Sequence, residues 1–172
     1  MGAEGKPANA LVVMLAILGG ALLLCAGLAA LGVGSSMYIS VTEKDDVKAA
    51  LDIYMQRMSA KDAGGAYALF SSRARRQMPA SQLETGLHPP NYSIYEGYLS
   101  LEVDSMNVQQ SVNTSPDVPQ GTLATVQGRI TYADGFNGNF QSLLEKEGGR
   151  WMLDRIDIVV PPDKISKSTS KP

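Results

Sequence analysis

Proton-transfer chemistry needs a base held in a pocket, with hydrogen-bond donors for the charge that develops. Few residues of this chain qualify. Its one histidine, His88, lies in Leu87-His88-Pro89-Pro90; the prolines favour an extended segment, which puts the imidazole at a surface or hinge. Asp52 falls on the outer face of a helical pattern, away from Tyr54 and Met55. Asp154 and Asp157 flank Arg155 on a strand pattern, a setting for ion pairs or solvent. Tyr67, Tyr98 and Tyr132 bring hydroxyl donors, yet they stand at apolar-face positions where aromatic rings build core. Acid, base and donor do not converge.

Other chemistry is poorer still. One histidine and one cysteine, Cys25, are too few for a zinc site. Gly64-Gly65 and Gly148-Gly149 lack the Lys and Ser/Thr of a phosphate loop. No Gly-x-Ser-x-Gly elbow occurs. The reading is therefore no catalytic residues, no metal and no cofactor. Of 15 Lys and Arg and 17 Asp and Glu, only Lys6 and Glu4 precede Glu43, and the net charge is −2. That balance offers no basic stripe for nucleic acid. Arg73, Arg75 and Arg76 read as the solvated end of a helix, where cations offset the dipole.

The elements that position these residues begin with Ala10 to Val33, a run without a charged side chain. A bilayer core about 30 Å thick needs roughly 20 apolar helical residues, so the run reads as a membrane span. It exceeds the apolar stretch of a cleaved signal. Leu24 before Cys25 also departs from a lipoprotein pattern, so Cys25 reads as a small apolar residue in mid-helix. Ala16, Gly20, Ala26, Ala30 and Gly34 recur at helical spacing, a small-residue surface for packing on another membrane helix. The expected order is a head at 1–9, a transmembrane helix at 10–34, a linker at 35–42, a domain at 43–160 and a disordered tail at 161–172. Flanking Lys and Arg do not settle orientation. The short head, and the ease with which long domains translocate, place the N-terminus in the cytoplasm and the domain outside it, periplasmic or at the cell surface.

Val47, Ala50, Leu51, Tyr54, Met55 and Met58 recur at i, i+3, i+4, i+7, i+8 and i+11, a complete helical stripe. Thr42 and Asp45 have capping-box spacing before it. Asp62 is the expected cap of a second helix whose inner face is Ala66, Tyr67, Leu69, Phe70 and Ala74, with Gly64 and Gly65 permitting close packing. Pro79 ends it, and Ser81-Gln82-Leu83-Glu84 caps a third helix ending near Gly86.

From Tyr92 the period changes to 2. Leu99, Leu101 and Val103 share one parity and Met106 and Val108 the other, which predicts a bulge near Asp104. Ala124, Val126, Gly128, Ile130 and Tyr132 form a second strand face, and Phe136, Gly138, Phe140, Ser142 and Leu144 a third. Asp134-Gly135 and Gly148-Gly149 are hairpin turns, the latter leading into Trp151–Ile158. Helices followed by a four-stranded antiparallel meander make an α+β domain.

Helices first, then bent strands, then a last strand reading Gly149-Arg150-Trp151-Met152-Leu153-Asp154-Arg155-Ile156 resemble the nuclear transport factor 2-like superfamily. Asp62-Ala63-Gly64-Gly65-Ala66-Tyr67-Ala68-Leu69-Phe70-Ser71 resembles the second-helix pattern of its small bacterial members. The resemblance covers about Glu43 to Val160 and implies a cone: about three helices closing over a curved four-stranded sheet, often around an apolar pocket. The pocket-lining candidates are Tyr54, Tyr67, Phe70, Tyr132, Phe140 and Trp151. Some members are isomerases or dehydratases, others binding modules or complex subunits, so the fold does not choose.

The missing constellation and the tether favour a membrane-anchored, non-catalytic binding or interaction module, an accessory subunit whose partners are the bilayer and a membrane protein or a second copy. The alternative is an isomerase or dehydratase-like enzyme holding a small apolar ligand in the cone.

Overall fold

The computed structural model describes residues 43–112 and 115–169. The expected head, anchor and linker, with Ala16, Gly20, Ala26, Ala30, Gly34 and Thr42, lie outside them. Among the described residues no helix is long and apolar enough to cross a membrane. The described elements are α1 (residues 43–59), then α2 (Ala63–Tyr67), α3 (Ser72–Gln77), α4 (Ala80–Gly86), a 3-10 turn at Asn91–Ile94, β1 (Tyr98–Ser111), β2 (Gly121–Tyr132), β3 (Asn137–Glu147), β4 (Arg150–Val159) and α5 (Pro162–Thr169). The strands form one antiparallel sheet in chain order, β1-β2-β3-β4. The domain is α+β.

The stripe on α1 is buried as its spacing predicts except at Ala50, which is half-buried: Val47, Leu51, Tyr54, Met55 and Met58 meet the inner sheet residues Leu101, Val126, Ile130, Leu144 and Leu153 in one core. Burying each such side chain contributes about 1.5–3 kcal/mol, which is what holds the helical layer to the sheet. Gly135, Gly148 and Gly149 take left-handed φ angles of 84°, 56° and 81° in the two hairpin turns.

The bulge expected near Asp104 is present, between Val103 and Ser105. A second irregularity, between Tyr98 and Ser100, turns Leu99 outward, where it is 61% exposed instead of joining Leu101 and Val103 inside. The predicted second helix is two. Asp62 caps α2 by accepting from Gly65 N at 2.8 Å, but Leu69–Ser71 then runs extended beside β4. Ser71 N donates to Leu153 O at 2.7 Å and Leu153 N to Leu69 O at 2.8 Å. Ser71 Oγ starts α3 by accepting from Ala74 N at 3.1 Å. Gly65 serves that cap, since a Cβ there would lie 2.2 Å from the Asp62 carboxylate.

Two further expectations fail. α4 opens at Pro79 with no side-chain cap, so Ser81 and Glu84 do not form a capping box. The stretch from Pro162, expected to be disordered, forms α5. Lys164, only 3% exposed, draws it in: its ammonium lies 3.9 Å over the Tyr132 ring and donates to Glu96 O at 2.9 Å and Asp134 Oδ2 at 3.2 Å. Composition signals solvation, but three partners for one cation outweigh it.

Candidate functional site

Aromatic rings stand among the aliphatic core residues between helices and sheet. α1 presents Tyr54, whose ring meets Phe70 edge-on at 5.7 Å and Tyr95 at 6.2 Å, both in T-shaped geometry. Offset arrangements of this kind let ring edges meet ring faces. The Tyr54 and Tyr95 hydroxyls lie 3.2 Å apart. Tyr132, from β2, donates to Ile94 O at 2.7 Å. Burial raises the pKa of all three phenols, so they stay neutral hydroxyls. Of the pocket-lining candidates, Tyr54, Phe70 and Tyr132 are thus core.

Phe140 and Trp151 belong to the same core and Tyr67 packs against it, each with a further contact. Tyr67 donates to Arg75 O and Met78 O, at 2.9 and 3.1 Å, and ties α2 to the end of α3. Phe140 packs against the core and borders a shallow depression on the sheet's open face, among Gln127, Asn139, Gln141 and Asp157. Gly128 makes room for it: a Cβ there would lie 2.6 Å from the Phe140 ring and 2.0 Å from Glu102 O. Trp151 sits beside an external cleft, its Nε1 donating to Glu43 Oε2.

That cleft, about 500 Å³, lies between α1, the Ala68–Leu69 turn and the β3–β4 hairpin. Asp46, Ala49, Ala50 and Ile53 form its α1 wall, a second stripe at i, i+3, i+4 and i+7. Leu69, Trp151 and Met152 face them, and Arg150 stands at the hairpin side. Ile53 is 43% exposed. The helical wheel contained this stripe, but alanines beside a stronger apolar stripe carry little signal. Glu43 holds the rim by bonding Lys146 as well as Trp151; the Lys146 hydrogen bond outweighs the effect of burial and keeps its carboxyl below the ordinary value.

The acids are otherwise engaged. Asp52 accepts from Tyr98 and pairs with Lys48, which places it at a partly buried seam rather than freely outside. Burial, with the Asp52 hydrogen bond, drives the Tyr98 phenol far above its ordinary pKa. Arg73 is not solvated like Arg75 and Arg76: it is 6% exposed, pairs with Asp154 and reaches Glu145 Oε2 at 3.4 Å. A guanidinium so enclosed demands carboxylates, so Arg73 joins α3 to β3 and β4. Asp157 is exposed beside Arg155. His88 is exposed outside these clusters. Among the described residues no group of His, Cys, Asp and Glu fits a metal.

No protein-family model matches the chain, and no curated protein matches it. Among solved structures it is similar to Aln2 from a Streptomyces species, at 20% sequence identity and a TM-score of 0.39, over 77% of this chain and 96% of that one.

Proposed function

We propose that this chain is a membrane-anchored, non-catalytic interaction module, a nuclear transport factor 2-like cone serving as accessory subunit of a membrane assembly. The order of helices then meander supports the cone, and the charge-free run at 10–33 supports the anchor. One observation carries the functional reading: Tyr54, Tyr95, Phe70 and Tyr132 occupy the space a ligand would take, while the apolar cleft at Ile53 opens outward.

An isomerase needs a base aimed at bound substrate. Asp52, Asp154 and Glu145 instead face Tyr98, Lys48, Arg73 and the Gln120 amide, with Glu145 Oε2 buried in ion contact with Arg73 Nε but without a hydrogen bond. A tether supplies what an interaction module uses, a raised local concentration of its partner. Pulldown of the full chain from native membranes in mild detergent tests the reading. Recovery in fixed ratio with a membrane protein or with further copies of itself is expected. Recovery as a bare monomer overturns it.

A further inference from the structure

The sheet has two edges, β1 and β4, and an uncovered strand edge is a template for another strand. β4 is managed. Leu69–Ser71 pairs along it at Leu153, a register shift interrupts it opposite Leu143 and Leu144, and Asp154, Arg155 and Asp157 load it with charge. The first half of β1 is managed too, by irregularities at Tyr98/Ser100 and Val103/Ser105 and by Glu102 and Asp104, which pair with Arg129.

The second half is not. From Ser105↔Gln127 to Ser111↔Gly121 the register with β2 is unbroken. Ser105-Met106-Asn107-Val108-Gln109-Gln110-Ser111 contains no charge, proline or glycine. Asn107, Val108, Gln109 and Gln110 are all exposed, so neither face of the strand is covered there. Each device that blunts an edge is used elsewhere on this sheet and omitted here.

We infer that Ser105–Ser111 is a self-association edge, pairing antiparallel with the same segment of a second copy about a two-fold axis at Val108. The inference rests on reading the chain as an interaction module and names one of its partners. Charge selects the second copy. Reversed on itself about Val108, the segment sets Ser105 against Ser111, Met106 against Gln110, Asn107 against Gln109 and Val108 against its own copy, so no like charges oppose. The first half of β1, centred on Val103, would bring Glu102 against Asp104 of the other copy. A two-fold contact also closes, leaving no free edge for a third chain. A strand pair this short falls below the roughly 1,200 Å² of a stable interface, so the dimer depends on anchoring both copies in one membrane.

The test is cysteine cross-linking of the full chain in lipid vesicles, in a Cys25→Ala background so that no other thiol competes. Single cysteines replace Asn107, Val108, Gln109 or Gln110, with Gln127→Cys and Gln141→Cys on the sheet's open face as controls. A short-arm bis-maleimide should give predominantly dimer at Val108 and Gln109 and at least tenfold less at the controls. Adding Val108→Lys to Gln109→Cys should abolish the dimer band without lowering the melting temperature. Equal cross-linking at Gln141, or none from 107 to 110, overturns the inference. The cysteine scan decides even if Val108→Lys misfolds. Absent cross-links beside co-purification of a different membrane protein would remove the self-pairing and keep the module. Cross-links at Gln109 in a chain that turns over a small molecule would do the reverse.

Discussion

Tyr54 on α1 and Tyr95 before β1 meet hydroxyl to hydroxyl at 3.2 Å, within the core shared by α1 and the sheet. Each phenol gives the other a partner, so two buried polar groups are satisfied without water or ligand.

Replacing Tyr54 separates its two roles. Tyr54→Phe keeps the ring and strands the Tyr95 hydroxyl, and should cost about 1 kcal/mol. Tyr54→Ala also opens a cavity against Phe70 and should cost about 3–5 kcal/mol. Urea denaturation of the soluble domain measures both. Because burial raises the Tyr54 pKa well above 10.0, the unfolded chain ionises first. Stability should hold below about pH 10 and fall as pH rises further.

Arg73 and Asp154 form a buried pair, with Glu145 alongside. Arg73→Met leaves two carboxylates enclosed and should cost about 3–5 kcal/mol. Changing all three, as Arg73→Met with Glu145→Gln and Asp154→Leu, should recover most of that loss. Denaturant midpoints compared across the set check the order.

Lys164 docks α5, so Lys164→Met should accelerate proteinase K cleavage after Val160 while leaving the sheet protected. Burial pulls the Asp134 carboxyl upward, but the Lys164 hydrogen bond and charge outweigh it, leaving its pKa below 3.8. The share of docking that Asp134 contributes is therefore present above about pH 4 and is lost as pH falls through the lowered value. Protection of α5 should fade in that acidic window.

Gly128→Ala has no room, since the new Cβ would lie 2.0 Å from a backbone oxygen on β1 and against the Phe140 ring. It should cost more than about 3 kcal/mol or prevent folding. Gly135→Ala faces open space at φ 84° and should cost about 1 kcal/mol from backbone strain alone. Thermal melts of the two variants separate clash from strain.

Periodic patterns were readable where one physical requirement acted alone. The α1 stripe, the alternation along β2 and β3 and the turn glycines each follow from a repeat or a backbone angle. Even the bulge at Val103/Ser105 showed as a parity change. What was hidden depended on partners far along the chain. Ser71 breaks a helix because Leu153 offers backbone bonds; Arg73 is buried because Asp154 and Glu145 arrive from other strands; α5 folds because Tyr132, Glu96 and Asp134 converge on Lys164. Leu99 turned outward through an irregularity that no alternation announced. Of the aromatic candidates, all six are placed near the core, yet only Trp151 borders the apolar cleft.

The most direct measurement compares wild type with Ile53→Glu in parallel pulldowns from native membranes. Ile53 is already 43% exposed, so the charge should leave the melting temperature unchanged. A membrane protein recovered in fixed ratio with wild type is expected to be lost with Ile53→Glu. Identical recoveries from the two chains, or recovery of wild type as a bare monomer, would contradict it.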